Sequence, residues 1–328
     1  MSTKNIGLVI IGRNEAEHLA NNLPKLAGLF KATVFVDSNS SDDSVAVAEK
    51  NEVSVLQLDL SKPFTAARAR NAGYEKLLQE NTDLEFVQFI DGDCELLPAF
   101  VVLAQDYLEQ HADVGVVAGR RRERYPDRSI YNANCEVEWN TPVGDAQACG
   151  GDFLIRTAVM SAVGGFNESL IAGEEPELCV RIRQAGHKIY RIDSDMTIHD
   201  ANMHKISQWW KRAERAGYAY VQDFAIHGGA PEYLYRRDVI KIFIYGGLFF
   251  FAIAAGIFID WKFLLLLLFY PLQAFRIYLK FDHPDHNRLE RRAFSMSCGF
   301  AYLPQIFGVL RFLWRRLLGK QGTIIEYK

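Results

Sequence analysis

The amino-acid sequence has 328 residues, of which 49% are hydrophobic and 23% charged, and its formal net charge is −3. The composition excludes a disordered or collagen-like chain, and the slight negative charge argues against non-specific binding to nucleic acid. At ~150 residues per domain, the length predicts one large domain or two smaller ones. Because residues 239–318 are far more apolar than residues 1–235, we expect one domain over residues 1–235 and a second over residues 236–328.

The five cysteines indicate a reduced protein in the cytosol. Their number is odd, and no two of them form a Cys-x-x-Cys pair, which disfavours a disulfide framework and a structural zinc site. We therefore expect reduced and mostly buried thiols. The apolar run near the N-terminus is short, is followed at once by Arg13 and Glu15, and has no small-residue cleavage site. These features predict that no signal peptide is present and that the first domain stays in the cytosol.

Hydrophobic periodicity predicts alternating strands and helices in the first 118 residues. The run Ile6–Ile11 is continuously apolar, as expected for a strand covered on both faces. Further strands are predicted over Thr33–Val36, Val53–Leu58, Leu84–Ile90 and Val114–Ala118. Helices are predicted over Ala16–Phe30 and Phe64–Gln79, a further helix is predicted to end at Lys50, and another is predicted to begin at Pro98. This alternation predicts an α/β fold with a mostly parallel sheet. From about Arg120 the alternation stops, because Arg120–Arg124 is a run of charges and Gly144–Asp152 is typical of a loop.

Acidic residues follow two of the predicted strands. Asp37 ends one strand, and Asp91-Gly92-Asp93 directly follows another. Because ligands of such sheets bind beyond the carboxyl ends of the strands, we expect both acidic segments to face one crevice. Two carboxylates that flank a glycine can hold Mg²⁺ or Mn²⁺ together with phosphate oxygens. An isolated Asp-Gly-Asp is also a common surface turn, but its place at a strand end favours a functional site.

A second acidic cluster precedes a predicted helix. Glu174, Glu175 and Glu177 stand at the helix start, where acidic residues are ordinary partners of the helix dipole. The alternative is a functional cluster in which one glutamate is a general base above the crevice. His199 follows the short strand-like run Asp195–Ile198 and is either a third metal ligand or a plain surface residue.

The C-terminal part of the sequence contains three apolar stretches. Ile242–Ile259 has no charge over 18 residues, and as a helix it would span ~27 Å, close to the thickness of a bilayer core. Phe263–Phe275 is shorter, contains Pro271, and could span by borrowing residues 277–281. Ala293–Leu310 either crosses the membrane or lies at its surface. The alternative is a buried helical core or a dimer interface, and the length of the first stretch favours the membrane.

Basic residues predict the orientation of this apolar part. Basic residues precede the first stretch and follow the second: Arg236, Arg237 and Lys241 before the first, and Arg276, Lys280, Arg288, Arg291 and Arg292 after the second. Asp260–Lys262, the link between the two stretches, is short. The positive-inside rule therefore predicts a hairpin with both basic flanks in the cytosol, which places the protein in the cytoplasmic membrane.

The motifs, taken in order, resemble family 2 glycosyltransferases with the GT-A fold. The segments that carry the resemblance are Ile10–Glu15, Asp37–Asp42, Ala69–Gly73, Asp91–Asp93, Gly164–Glu168, and Glu174-Glu175 with Glu177, Leu178, Arg181 and Gly186. Each motif is weak alone, but six in the expected order are specific. The resemblance covers about residues 5–200 and implies a Rossmann-like catalytic domain, which would be followed here by membrane-associated helices.

The resemblance implies roles in binding a nucleotide sugar and a metal. Asp37 would contact the base or ribose, and Arg70 and Asp91 are assigned with it to donor binding. Asp91 and Asp93 would hold the metal-diphosphate, with Asp93 the more direct ligand, and His199 would complete the metal shell. The implied cofactor is Mn²⁺ or Mg²⁺, which would stabilise the departing diphosphate.

The resemblance also implies a catalytic base. Glu175 would deprotonate the acceptor hydroxyl for an inverting, in-line displacement at the anomeric carbon. Two departures from the family pattern affect these roles. Ser38 replaces a common second aspartate of the nucleotide segment, and Glu175 replaces an aspartate that is one methylene shorter. Glu174 and Glu177 therefore stay open as alternative bases.

The leading hypothesis is an inverting, metal-dependent glycosyltransferase of polysaccharide or glycolipid biosynthesis. It would use a cytosolic nucleotide sugar and a lipid-linked or glycan acceptor, with membrane lipids but no nucleic acid as partners. One alternative is a nucleotidyltransferase, which the missing Gly-rich, Lys-bearing loop of the first βα turn disfavours. Another is a non-catalytic membrane adaptor with a degenerate transferase domain, against which Asp91, Asp93 and Glu175 argue.

Overall fold

The computed structural model describes residues 5–59, 61–281 and 286–319. Two compact units divide the chain: Met1–Arg124 with Asn140–Asp200, and Tyr125–Trp139 with Ala201–Lys328. Residues 201–235, which the sequence places in the first domain, thus belong to the second unit. The reason is that the long helix in this segment packs against the C-terminal helix, a contact that local sequence does not reveal.

The first unit contains a single mixed sheet of nine strands in its described residues. The strands are β1 (Ile6–Gly12), β2 (Ala32–Asp37), β3 (Ser54–Gln57), β4 (Phe86–Asp91), β5 (Cys94–Leu96), β6 (Val114–Glu123), β7 (Gly144–Asp145), β8 (Phe153–Arg156) and β9 (Lys188–His199). Their order is β3-β2-β1-β4-β8-β6-β9-β5, with β7 beside β9. Strands β1 to β4 pair in parallel, whereas β8 is antiparallel to β4 and β6. The predicted α/β fold is confirmed.

The helices alternate with these strands and then continue alone. They are α1 (Ala16–Leu26), α2 (Ser44–Lys50), α3 (Ala66–Glu80), α4 (Pro98–Gln110), α5 (Ile130–Trp139), α6 (Thr157–Ala162), α7 (Glu174–Gln184), α8 (Ile206–His227), α9 (Arg236–Lys241), α10 (Gly247–Phe258), α11 (Phe269–Lys280), α12 (Arg288–Phe300) and α13 (Tyr302–Leu317). A π-helical segment, Ile242–Gly246, joins α9 to α10, and a 3-10 helix, Trp261–Leu268, precedes α11.

The strand register brings the two acidic strand ends together. Asp37 at the end of β2 is paired with Gly12 of β1, and Asp91 at the end of β4 is paired with Ile11 of the same strand. The two aspartates therefore flank the carboxyl end of β1, as the sequence predicts. Helix α3 packs closely on this part of the sheet, because a Cβ at Gly73 would lie 2.5 Å from a methyl group of Val9.

The charged run after residue 118 continues the strand that the sequence predicts to end at Ala118, so the predicted end of this strand was wrong. β6 continues to Glu123 and pairs in parallel with β9 after register shifts near Arg120. Acidic side chains of the same unit compensate the arginines: Arg121 contacts Asp152 at 2.6 Å and Arg124 contacts Glu95 at 2.5 Å. A strand can carry this many charges because its neighbours supply the opposite charge.

The second unit contains the apolar helices. Two helical segments of its described residues are long and apolar enough to cross a membrane, Arg236–Phe258 and Trp261–Lys280, with mean hydropathies of 2.0 and 1.4. Pro271 lies in the first turn of α11, where its missing N–H is tolerated, so it does not break the second segment. Helices α12 and α13 meet at a bend of 43° and count as a third span only if taken together.

Candidate active site

Asp37 shapes the turn that follows β2. Its side chain is 3% exposed, and its two carboxylate oxygens accept hydrogen bonds from the backbone N–H of Ser40 at 3.1 and 3.2 Å. Asn14, after β1, adopts a positive φ of 61° and accepts a hydrogen bond from the Ser41 N–H at 2.8 Å. The turns after β1 and β2 therefore support each other at the carboxyl ends of these strands.

Asp91 is held by two arginines. Arg70 of α3 donates to its Oδ1 at 2.7 Å, and Arg121 of β6 lies 3.5 Å from its Oδ2. Burial alone would raise the pKa of Asp91, but the two guanidinium charges outweigh it and hold this pKa below its usual range. Arg70 is 3% exposed and stays charged, because Asp91 and Glu174 raise its pKa against the effect of burial. Asp91 is therefore a carboxylate at neutral pH.

Asp93 lies beside His199. The antiparallel pairing of β5 with β9 aligns Cys94 with His199, and His199 Nε2 is 3.1 Å from Asp93 Oδ2. Potential ligand atoms of Asp93, Cys94 and His199 all lie within 4.8 Å of one another. The structure thus unites Asp93 with the histidine that the sequence left undecided between a ligand and a surface residue.

Asp152 is a buried residue of the site that the sequence did not single out. It is fully buried, and its carboxylate accepts hydrogen bonds from Arg121 at 2.6 Å, from Thr197 at 2.8 Å and from the Asp91 N–H at 3.1 Å. The preceding Gly151 lies so close that a Cβ there would be 2.8 Å from Arg70 and 3.0 Å from Asp91. The glycine pair before Asp152 was the signal in the sequence, because such a pair permits close backbone approach.

The three glutamates at the start of α7 have different partners. Glu174 accepts a hydrogen bond from Arg70 at 2.8 Å, so that one arginine bridges Glu174 and Asp91. Glu177 is 2% exposed and forms an ion pair with Arg181 at 2.7 Å within α7. This contact gives Glu177 a structural role that is typical of adjacent turns of a helix.

Glu175 has a different environment from its neighbours. Its Oε1 accepts hydrogen bonds from the Cys149 N–H at 2.5 Å and from the Cys179 thiol at 3.0 Å. Burial raises the pKa of Glu175 and outweighs these hydrogen bonds, which act in the opposite direction. A buried carboxyl group with a raised pKa has the property expected of a general base that works near neutral pH.

Comparison with known proteins assigns the fold to a family. Residues 8–164 match the family model described as Glycosyl transferase family 2. This segment is a family 2 glycosyltransferase domain. We use the term transferase domain for the compact unit that contains most of it, Met1–Arg124 with Asn140–Asp200. The structure is similar to the mannosyltransferase PcManGT from Pyrobaculum calidifontis in complex with GDP-Man and Mn²⁺, with a TM-score of 0.64 and 14% identity over 95% of this chain and 88% of that one. The GT-A fold of the transferase domain is thereby confirmed.

Two curated proteins show sequence similarity to this chain. The succinoglycan biosynthesis protein ExoA of Rhizobium meliloti is 24% identical over an alignment of 219 residues that covers 62% of this chain and 66% of ExoA. The O-antigen chain rhamnosyltransferase RfbN of Salmonella typhimurium is 22% identical over an alignment of 184 residues that covers 52% of this chain and 57% of RfbN. The matched region spans less than two thirds of either relative.

Two motifs of the transferase domain, distant in sequence, lock together. Asn71 of α3 donates to the Phe166 carbonyl at 2.9 Å and accepts from the Phe166 N–H at 2.8 Å. It also donates to Glu168 at 3.0 Å. Gly165 has a φ of +72°, and a Cβ there would lie 2.7 Å from the Asn71 side chain. These contacts fix the Gly-Gly-Phe turn against α3, next to Arg70.

Two further polar side chains, Arg68 and Trp209, have structural contacts. Arg68, unlike Arg70, donates to the backbone carbonyls of Asp59 and Lys62 at 2.9 and 3.0 Å. In the second unit, Trp209 is 8% exposed and donates to Ser297 at 2.9 Å. Arg68 therefore supports a loop, and Trp209 belongs to the packing among helices.

Proposed function

We propose that the chain transfers a sugar from a nucleotide sugar to an acceptor hydroxyl, with a divalent cation and with inversion at the anomeric carbon. The observation that carries the proposal is the double contact of Arg70. This arginine joins Asp91, at a strand end of the sheet, to Glu174, the neighbour of the buried Glu175. Arg70 thereby holds Asp91, which we assign to donor binding, close to the segment that carries the proposed base Glu175.

The donor set at Asp93 fits Mn²⁺ or Mg²⁺. A carboxylate oxygen and an imidazole nitrogen lie 3.1 Å apart, on Asp93 and His199. The carboxylate is a ligand that suits these cations, and the small number of protein ligands leaves positions for phosphate oxygens and water. Asp91 is engaged by Arg70 and Arg121, which supports Asp93 as the more direct ligand. The bound cation would stabilise the negative charge of the departing diphosphate.

The chain's own residues would perform the remaining steps. Asp37, at the crevice edge, would contact the nucleoside, and Arg70 would keep Asp91 ionised beside the donor. Hydrogen bonds hold one oxygen of Glu175, Oε1, and we assign Oε2 to receive the proton of the acceptor hydroxyl. The acceptor oxygen then bonds to the anomeric carbon while the bond from that carbon to the diphosphate oxygen breaks. Attack opposite the leaving group inverts the configuration.

The acceptor is proposed to be lipid-linked. In the second unit, a cavity of about 350 Å³ is lined almost entirely by apolar surface. Its lining residues are Ile130, Tyr131, Asn134, Ile206, Trp209, Trp210, Ala293, Met296, Ser297, Phe300 and Leu303. Asn134 is 1% exposed, and among the described residues its Oδ1 has no hydrogen-bond partner. Such a cavity suits a hydrocarbon chain that carries a hydrogen-bond donor.

The membrane location is also part of the proposal. The segments Arg236–Phe258 and Trp261–Lys280 are long and apolar enough to span a bilayer. Exposed large apolar side chains at their junction, Phe258 at 85% and Trp261 at 65%, support burial in lipid. The basic residues that flank the hairpin support a cytosolic orientation of the transferase domain in the cytoplasmic membrane.

The transfer reaction is tested with detergent-purified full-length protein and a panel of UDP-, GDP- and dTDP-sugars, with Mn²⁺ or Mg²⁺. We expect release of one nucleoside diphosphate that requires the cation and falls at least about 10²-fold in Asp93→Ala. Asp195→Ala, on the same sheet but 43% exposed and paired only weakly with Arg122 at 3.4 Å, is the control and should keep full activity. No release with any donor, even with membrane extract supplied, would support a non-catalytic adaptor instead.

The lipid acceptor is tested by filling the cavity. Met296 lines it and is 51% exposed, so Met296→Trp should block the cavity without disrupting the fold. We expect transfer to extracted membrane lipid to fall while hydrolysis of the donor continues. Leu310→Trp, at a residue that is 44% exposed and outside the cavity lining, is the control. Equal transfer by both variants would remove the cavity from the proposal.

A further inference from the structure

Two cysteines and the proposed base form a compact cluster. Cys149 lies in the loop before β8, and Cys179 lies one helical turn after Glu175 on α7. The two sulfur atoms are 3.5 Å apart, although 30 residues separate them in the sequence. The Cys179 thiol is 3.0 Å from Glu175 Oε1, and potential ligand atoms of all three residues lie within 4.8 Å of one another. We call Cys149, Glu175 and Cys179 the thiol cluster.

We propose that the thiol cluster is a second cation site, separate from Asp93 and His199, that takes one thiophilic divalent cation of the Zn²⁺ class and thereby inhibits the enzyme. Two thiolates and one carboxylate are a ligand set that zinc accepts when a fourth position is left to water. Binding joins both sulfur atoms and a Glu175 oxygen to the cation. The two thiol protons, together with the carboxyl proton of any protonated Glu175, leave to the solvent.

The distances in the cluster fit one cation. With Zn–S bonds of about 2.3 Å and Zn–O bonds of about 2.0–2.2 Å, tetrahedral geometry places two sulfurs about 3.8 Å apart and sulfur and oxygen about 3.5 Å apart. The corresponding separations here are 3.5 Å and 3.0 Å. The side chains therefore need to separate by only a few tenths of an ångström to enclose the cation.

The environment also favours a bound cation. Burial raises the pKa of the Cys149 and Glu175 side chains and raises the pKa of Cys179 to about 11, so ionised forms are disfavoured in the free cluster. A divalent cation would offset this cost because it neutralises most of the charge on its ligands. Cys149 is only partly buried and leaves a route from solvent, whereas Cys179 is fully buried.

The ligand sets of this site and the proposed catalytic one differ. Asp93 and His199 offer an oxygen and a nitrogen beside the single sulfur of Cys94, while the thiol cluster offers two sulfurs, which Mg²⁺ and Mn²⁺ bind poorly. The inhibition rests on the proposed function, because it follows from Glu175 losing its role as base once it is a ligand. The binding itself does not depend on that function.

Binding is measured on the full-length, metal-free protein in detergent, with Co²⁺ as a spectroscopic probe and Zn²⁺ as its competitor. We expect a thiolate-to-cobalt charge-transfer band that saturates at one equivalent and disappears on addition of Zn²⁺. Cys149→Ser and Cys179→Ser should each weaken binding more than about 100-fold, since even partners of metal ligands change affinity by 10–100-fold. Zn²⁺ should also protect both cysteines of the wild type from alkylation.

The controls separate the thiol cluster from the rest of the chain. Cys94 belongs to the other group of candidate ligands, with Asp93 and His199. A thiolate-to-cobalt band that survives in Cys149→Ser and is lost in Cys94→Ser would therefore overturn the proposal. Cys298→Ser, at a half-buried thiol outside both clusters, should keep the band and the activity. Donor hydrolysis reports the inhibition separately: Zn²⁺ should inhibit the wild type and spare Cys179→Ser, whose hydroxyl still donates to Glu175. Binding without inhibition would refute only the role of Glu175.

Discussion

Two carboxyl groups of the transferase domain lie at the two ends of one short loop and have opposite environments. Residues 149–152 contact Glu175 through the Cys149 N–H and reach Asp91 through Gly151 and Asp152. At the Asp91 end, two arginines lower the pKa of the carboxyl group, whereas at the Glu175 end burial raises the pKa against the effect of the hydrogen bonds that the carboxylate accepts. The same chemical group is thereby suited to bind a charged donor at one end and to accept a proton at the other.

The contrast between Asp91 and Glu175 is tested most strongly by substitutions of the glutamates of α7. Replacing the proposed base in Glu175→Gln should lower kcat by about 10²–10⁴-fold, because the carboxamide cannot accept the proton of the acceptor hydroxyl. The measurement is steady-state transfer at saturating donor, with donor affinity as a second readout that should change little. Glu177→Gln is the matched control on the same helix. It loses the ion pair with Arg181 and should lower the melting temperature while kcat stays within a few-fold of wild type.

Removing the positive charge at the Asp91 end should affect stability more than any surface change. Arg70→Met leaves Asp91 and Glu174 without their buried partner, and the free energy of unfolding should fall by about 3–5 kcal/mol. Denaturant unfolding of the two variants Arg70→Met and Arg68→Met measures the difference. Arg68, two residues away, contacts backbone carbonyls at the surface and should cost far less. Similar losses in both variants would contradict the bridging role of Arg70.

The loop between the two ends tolerates no side chain at Gly151. In Gly151→Ala, the new methyl group would meet Arg70 at 2.8 Å and Asp91 at 3.0 Å, so we expect a loss of about 1–3 kcal/mol from overpacking. The Michaelis constant for the donor should rise as Asp91 is displaced. Gly229→Ala, where an added Cβ meets nothing within 4 Å, is the control and should leave both quantities unchanged.

The smallest expected effect is a shift in the pH profile of kcat. Glu175 must be ionised to act as a base, so kcat should fall as pH falls through its pKa, which lies above the ordinary 4.5. The Cys179 thiol lowers that pKa by donating to the carboxylate, and Cys179→Ala should therefore move the acidic limb to higher pH. Cys298→Ala should not move it. An acidic limb that shifts equally in both variants would not come from Glu175.

The contributions of Asp91 and Glu175 to folding stability also depend on pH in opposite directions. The pKa of Asp91 is below the ordinary 3.8, so its contribution is present above pH 3.8 and is lost as pH falls through the folded pKa. The pKa of Glu175 is raised, so its contribution is present below pH 4.5 and is lost as pH rises through the folded pKa. Glu175→Gln should remove the second dependence from the pH profile of unfolding and keep the first.

Local patterns in the sequence predicted the first part of the fold well. Periodicity placed the strands of Ile6–Ile11 and Leu84–Ile90 and therefore the position of Asp91 at a strand end, because hydrophobic spacing reports directly on which faces are buried. The predicted strand end at Ala118 came too early, since the apolar run stops there while the strand continues through three arginines whose acidic neighbours only the fold supplies. The domain boundary at residue 235 stays a prediction, although the compact units divide at residue 200.

By itself, the sequence determined most of the strands and helices up to residue 118, the family resemblance, the apolar C-terminal part and the types of residue at the strand ends. These features follow from spacing and composition along a continuous stretch of chain. Only the tertiary structure decided that Asp152 and Arg121 support Asp91, that His199 lies beside Asp93, and that the three glutamates have separate partners. It also decided that Cys149 meets Cys179. The physical reason is that each of these contacts joins residues whose separation along the chain carries no periodic signal, so that sheet pairing and loop closure alone bring them together.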